Sequence, residues 1–319
     1  MTVKNSRKKS PVTYCEIPLF FSLVDYRNNY FTSSNPNKII EFYNGFDNRE
    51  QLIQWMRERP KGVANIHEVE GDKDIIVVIP TADINGKYAR ESVDNIFKGL
   101  HIIFVESGEV PDPYFNYAHN CNVGVKKAME YHPKWVIVAG DDLIKIDSIN
   151  KLQKQLVSID HTKVEYVHCN PTVYHSQLSL IGSLSLYSNI YLIVKHKSRA
   201  FARLRIMKKF EVRFDRIPNK RFFSIFVKKK KIIRENGDFG IYSSNFIKKK
   251  EFKLYDETFI NGWEETELAF KIAVEQASIV GIDFSINEYY GSTLGTGYQR
   301  TLREIAGLIY FNYKWGDKL

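Results

Sequence analysis

Between residues 74 and 168 the chain alternates two hydrophobic periods, and that alternation limits the folds open to it. Ile75-Ile76-Val77-Val78-Ile79 is a continuous apolar run of β-branched residues, closed by Pro80. Such a run reads as a strand covered on both faces. Arg90–Leu100 follows with apolar residues at 93, 96, 97 and 100, a helical stripe. His101–Val105 is the second buried strand, Asn116–Tyr131 the second helix and Trp135–Ala139 the third strand. Ser148–Val157 then reads as a helix and Val164–His168 as a further strand. Strands and helices joined by short links predict an α/β fold. The alternation is the signature of a doubly wound sheet flanked by helices, with its doubly covered strands expected to run parallel. Ligands of such sheets bind beyond the carboxyl ends of the strands. Residues placed just after each strand are therefore the ones to weigh for chemistry.

The flanks are less regular. Residues 1–73 are polar and aromatic, with a short helix expected at Glu50–Arg59 and stopped by Pro60, and they read as an N-terminal extension or arm. Residues 74–319 form the main domain. After 168 a strand is expected at Phe239–Tyr242, a helix at about 266–276 and a last helix at about 299–310.

Charge is distributed very unevenly. The chain of 319 residues carries a net +9, yet residues 195–234 hold 16 Lys/Arg against Glu211 and Asp215, a net +14. The remainder is thus mildly acidic at −5. A basic segment of this kind suits an anionic partner. Ile190–Phe210 mixes apolar residues with seven Lys/Arg, so peripheral contact with an anionic membrane through 190–234 is one reading, and a solvated basic face is the other. Nucleic-acid binding through 195–234 is a rival reading, but no nucleic-acid motif accompanies the patch.

Three scattered cysteines, Cys15, Cys121 and Cys169, make neither a disulfide framework nor a zinc cluster. No apolar run reaches the roughly 18–20 residues of a spanning helix. Lys4, Arg7, Lys8 and Lys9 before Ile17–Val24 imitate a signal peptide, but Glu16 intrudes and no small-residue cleavage site follows. A reducing, cytoplasmic setting is expected, with the inner membrane face as a variant of it.

Several strand-end residues bear on chemistry. Gly140-Asp141-Asp142 follows the third strand directly. Adjacent carboxylates repel, and a divalent cation such as Mg²⁺ or Mn²⁺ would relieve them; an acidic turn capping the next helix is the plainer alternative. Gly262-Trp263-Glu264-Glu265-Thr266-Glu267 opens a helix, where acids complement the macrodipole. One of these glutamates could equally act as a general base. Trp263 suits stacking on a sugar or filling the core. Asn122-Val123-Gly124 sets a polar side chain and a glycine in a helical stripe, and Glu106-Ser107-Gly108 ends the second strand.

The order of these pieces resembles the inverting glycosyltransferases of family 2 and their relatives, which have the GT-A fold, and this implies a Rossmann-like α/β architecture with a mixed, mainly parallel sheet flanked by helices. The resemblance covers about 74–315. Its most specific part is Asp256-Glu257-Thr258-Phe259 leading into Gly262-Trp263-Glu264-Glu265-Thr266-Glu267-Leu268-Ala269. It implies transfer of a sugar from a nucleoside-diphosphate sugar to a glycan, lipid-linked or protein acceptor, with inversion and assisted by Mn²⁺ or Mg²⁺. Glu265 would be the catalytic base, with Glu264 beside it. Thr81, Asp83, Glu106, Asn122, Gly124, Asp141, Trp263 and Glu267 would line the nucleotide-sugar site. Asp142, with Asp141, would hold the metal. The chain departs from the family at Gly140, where an acid is usual, at Lys253-Leu254, where Gly-Gly is usual, and at Tyr289-Tyr290-Gly291-Ser292, which lacks a late histidine. A GT-A fold that binds a nucleotide sugar without turnover is the corresponding alternative.

Overall fold

A computed structural model describes residues 36–108, 114–169, 176–179, 204–212, 219–220, 232–235, 239–288 and 298–318. Most of the basic segment, the lysine run 228–231, the signal-like start and the 289–292 loop lie outside these residues.

A seven-stranded mixed sheet organises the molecule. It is built from β1 (Asn65–Val69), β2 (Asp72–Thr81), β3 (Leu100–Glu106), β4 (Trp135–Ala139), β6 (Tyr166–Cys169), β10 (Phe239–Ser243) and β11 (Ile279–Ile282), in the order β1-β3-β2-β4-β10-β6-β11. Between β4 and β6 in the chain lies β5 (Leu143–Ile146), which pairs with β12 (Ile286–Glu288) in a small ribbon. A second small sheet joins β7 (Ser176–Ser179), β8 (Asn219–Lys220) and β9 (Ile232–Glu235). In the main sheet β3–β2, β2–β4 and β6–β11 run parallel. The pairs β1–β3, β4–β10 and β10–β6 run antiparallel. The expected mainly parallel sheet is therefore evenly mixed, because β10 inserts against both neighbours.

Period-two alternation explains why these strands are continuously apolar. Ile75, Val77, Ile79, Ile102, Phe104, Trp135 and Ile137 face one layer with Phe97, Leu152, Leu156 and Phe284. Ile76, Val78, Ile103, Val105, Val136 and Val138 face the other with Cys121, Val125, Phe246 and Ile272. Each side buries its own core, so neither face tolerates polar residues.

The helices are α1 (Pro36–Asn44), α2 (Arg49–Glu58), α3 (Lys87–Glu91), α4 (Tyr117–Ala128), α5 (Ile149–Val157), α6 (Ser244–Lys249), α7 (Glu264–Val274) and α8 (Tyr298–Trp315). Local chemistry starts them. Asn116 accepts from the His119 amide at 2.8 Å and Ser148 from the Lys151 amide at 3.3 Å, so the caps of α4 and α5 lie where the sequence has capping residues. The stripe at 90–100 is only partly α-helical: α3 gives way to a wider π turn over Ser92–Ile96 before β3.

Residues 36–69 are integrated into this body. Phe42, Tyr43, Leu52, Trp55 and Met56 share a third core with Phe259, Phe270, Leu302, Ile309 and Phe311, and β1 forms the edge of the sheet. Helix α7 is covered on both sides, with Phe270 in this core and Leu268 and Ile272 against the sheet. Among the described residues no helix is long and apolar enough to cross a membrane.

Candidate active site

The carboxyl ends of β2, β3 and β4 meet in one hydrogen-bonded group. Thr81, the last residue of β2, donates its hydroxyl to Asp141 Oδ2 at 2.8 Å. The Thr81 carbonyl accepts from the Ser107 amide at 2.9 Å, which draws the end of β3 alongside. Glu106 accepts the Ile84 amide on Oε1 at 2.9 Å and meets His67 Nε2 with Oε2 at 3.1 Å. Asp83 is exposed and accepts the Asn85 amide at 2.9 Å, shaping the turn after β2. The structure therefore brings together Thr81, Asp83, Glu106 and Asp141, which the sequence separates by up to 60 positions. It adds His67 from edge strand β1, a lone histidine with no motif to mark it.

Asp141 and Asp142 are both buried at this end of β4. Among the described residues no group of three or more His, Cys, Asp or Glu side chains gathers to hold a metal. Two adjacent buried carboxylates are nonetheless a fitting donor set for a hard cation whose remaining positions are filled by phosphate oxygens and water.

A second group ties α4 to the segment 255–261. Asn122 donates to the Tyr255 carbonyl at 2.9 Å and to Glu257 Oε1 at 3.0 Å, and accepts from the Tyr255 amide at 3.1 Å. Its amide is thus engaged within the protein. Asn116 donates to the carbonyls of Glu257 at 2.9 Å and Phe259 at 3.0 Å. Asn261 accepts from the Tyr117 amide at 2.7 Å and donates to the Phe115 carbonyl at 3.0 Å. His119 meets Glu257 Oε2 at 3.1 Å, and this contact with Asn122 holds the Glu257 carboxyl below its usual range against its burial. Gly124 lets α4 touch the sheet: a Cβ there would overlap Val78 and lie 2.8 Å from Val105 Cγ2. Asn122 and Gly124 therefore set the distance between α4, the sheet and the segment that carries the glutamates.

That segment turns sharply before α7. Asn261 and Trp263 both have left-handed backbone, with φ of 52° and 78°. Trp263 packs its ring against Phe311 of α8, with centroids 5.4 Å apart. Of the three first-turn acids, Glu264 and Glu267 are buried and Glu265 is partly exposed. Glu267 Oε1 accepts from Trp315 Nε1 at 3.1 Å and pairs with Lys314 at 2.8 Å. Arg303 of α8 lies in electrostatic range of Glu264; desolvation draws its guanidinium down to about 10, with Glu264 opposing.

Glu265 lies in electrostatic range of the buried hydroxyls of Tyr242 and Tyr255, which are 3.3 Å apart. Burial raises both phenols, and Glu265 adds to that, so both remain protonated at neutral pH. The Tyr242 hydroxyl folds back over Gly240, where a Cβ would overlap it. Gly240 pairs with Val138 on β4, two residues before Gly140. The Tyr242 hydroxyl thus lies level with Val138, near the end of β4 that leads into Gly140-Asp141-Asp142. The tyrosines were not singled out by the sequence, since they read only as strand and loop aromatics.

No model of a known protein family matches the chain, and no curated protein or solved structure matches it either.

Proposed function

We propose that the protein is an inverting glycosyltransferase of GT-A type, similar to those of family 2. The observation that carries this reading is the meeting of Thr81, Glu106-Ser107 and Asp141, with Asp142 beside it, at the carboxyl ends of β2, β3 and β4. Open α/β sheets bind ligands at that end.

In this reading a nucleoside-diphosphate sugar lies across the ends of β2, β3 and β4. Glu106, held by the Ile84 amide and His67, presents its remaining lone pairs to the nucleoside. Thr81 fixes the Asp141 carboxylate beside the diphosphate. Asp142 and Asp141 would hold Mn²⁺ or Mg²⁺, and such an ion supplies charge stabilisation for a departing diphosphate. The acceptor hydroxyl enters from the side of α7. Glu265 accepts its proton as the acceptor oxygen bonds to the anomeric carbon and the carbon–oxygen bond to the diphosphate breaks. Attack opposite the leaving group inverts the anomeric centre. The acceptor is a glycan, lipid-linked or protein hydroxyl, with the basic segment 190–234 as the part drawn to an anionic surface, in a cytoplasmic setting.

The test is Glu265→Gln in the full chain. Loss of a general base lowers the rate by roughly 10²–10⁴-fold. The variant is expected to bind nucleoside diphosphate as the parent does, with transfer of sugar to acceptor reduced by at least that factor. Near-parental transfer would remove Glu265 from the role.

A further inference from the structure

The last helix reaches back to both ends of the segment that presents Glu265. Lys314 Nζ lies 2.7 Å from Asp256 Oδ2 and 2.8 Å from Glu267 Oε1. These two acids bracket residues 257–266, which contain the left-handed Asn261 and Trp263 and the start of α7. Tyr310 donates to the same Asp256 oxygen at 2.7 Å, and Trp315 donates to the same Glu267 oxygen at 3.1 Å. One helix therefore grips both ends of the turn with a shared cation and two neutral donors.

Glu267 is fully buried, and its Oε2 has no hydrogen-bond partner. A buried carboxylate is costly unless it is paired, and removing its partner costs more than the pair contributes. Stability alone does not call for such a pair, since apolar replacements of buried ion pairs are often neutral or better. What a point charge shared by two acids does provide is one fixed placement of a turn that contains two left-handed residues. Glu265 lies two positions before Glu267, so its direction follows that placement.

We propose that Lys314 is a positioning residue: from the C-terminal helix it clamps Asp256 to Glu267 and so fixes Glu265 for proton transfer. This rests on the glycosyltransferase reading for its catalytic half only, because the clamp itself is a statement about the turn.

The experiment compares Lys314→Met, Lys314→Arg, Glu267→Gln and the double variant Glu267→Gln/Lys314→Met in the full chain. Two readouts are used: amide hydrogen exchange over 256–267, and kcat and KM for sugar transfer. Misplacing a catalytic group by about 1 Å can cost about 100-fold in rate. Lys314→Met is expected to speed exchange in 256–267 and to lower kcat at least about 10-fold, with donor KM changed less than about twofold. Lys314→Arg should recover most of the rate. The double variant should be better folded and faster than Lys314→Met, because it no longer leaves Glu267 buried and unpaired. If Lys314→Met does not fold, the double variant against Glu267→Gln alone decides: a further loss of kcat below about twofold supports action through Glu267, and a further loss of about 10-fold or more overturns it. Unchanged exchange and kcat in Lys314→Met would overturn the proposal. If the parent transfers no sugar, the glycosyltransferase reading falls, while the exchange data still decide the clamp.

Discussion

Asp256 offers the sharpest physical test of the segment between α4 and α7. Burial alone would raise its carboxyl, but Lys314, the Thr258 amide and Tyr310 outweigh that and hold it at about 2, against 3.8 for the free group. The folded value is depressed, so the stabilisation is fully present above the unfolded value and is lost as pH falls through the folded one. The difference corresponds to roughly 2 kcal/mol at pH 7. The same linkage leaves about half, roughly 1 kcal/mol, at pH 3. Asp256→Asn mimics the protonated form while keeping an oxygen for Tyr310. It is expected to lose roughly 2 kcal/mol in urea unfolding at pH 7, or roughly 3 °C in Tm for a chain of this size. At pH 3 its gap from the parent should shrink by about half. A gap of equal size at both pH values would show that lost packing, not the charge, is responsible. No gap at pH 7 would refute the stabilising role of the Lys314 contact.

Two further outcomes follow from the site. Gly124→Ala adds a methyl group against Val78 and Val105, so overpacking of about 1–3 kcal/mol should outweigh a helix-propensity gain of about 1 kcal/mol, read as a lower urea midpoint. Asp142→Asn should weaken the Mn²⁺- or Mg²⁺-dependent part of nucleoside diphosphate binding, measured by titration calorimetry. Equal affinity with and without the ion in both proteins would count against a cation at Asp142.

The strands of the sheet were legible because burial on both faces forces β-branched runs. Trp135–Ala139 is β4 to the residue. Strand direction was not legible. A short sealed strand such as Phe239–Ser243 looks the same parallel or antiparallel, and only its pairing with Ala139 and Val167 reveals the mixed sheet. Edge strand β1 was hidden for the opposite reason. It is largely solvent-exposed and carries Asn65, His67 and Glu68, so it has no apolar signature. The bounds read for α4 and α5 lie close to those observed, whereas the apolar stripe at 90–100 gave no sign of the break from α3 into a π turn over Ser92–Ile96.

In the site, residue types were legible but their partners were not. Glu264, Glu265 and Glu267 look alike in sequence, yet helix geometry sends them to different neighbours. Glu267 pairs with Lys314 of α8 and Glu264 lies in electrostatic range of Arg303 on the same helix, whereas Glu265 acts on the buried Tyr242 and Tyr255. Asn122 reads as a ligand group, but its partners lie at Tyr255 and Glu257, 133 and 135 positions away, and no local pattern announces them.

The acidity of the site has its own consequence. Asp83, Glu106, Asp141 and Asp142 are carboxylates near one end of the sheet, while the chain's basic excess lies in 195–234. A diphosphate brought to that end meets like charge, and like charges at short range cost several kcal/mol when desolvated. Binding there needs a positive partner supplied with the ligand or by the basic segment. A divalent cation concentrates two charges within reach of Asp141 and Asp142, whereas lysines spread along forty residues act mainly at longer range and are screened over about 8 Å at physiological salt. In the proposed reaction the cation would therefore act on the donor diphosphate, and the basic segment on whatever anionic surface carries the acceptor.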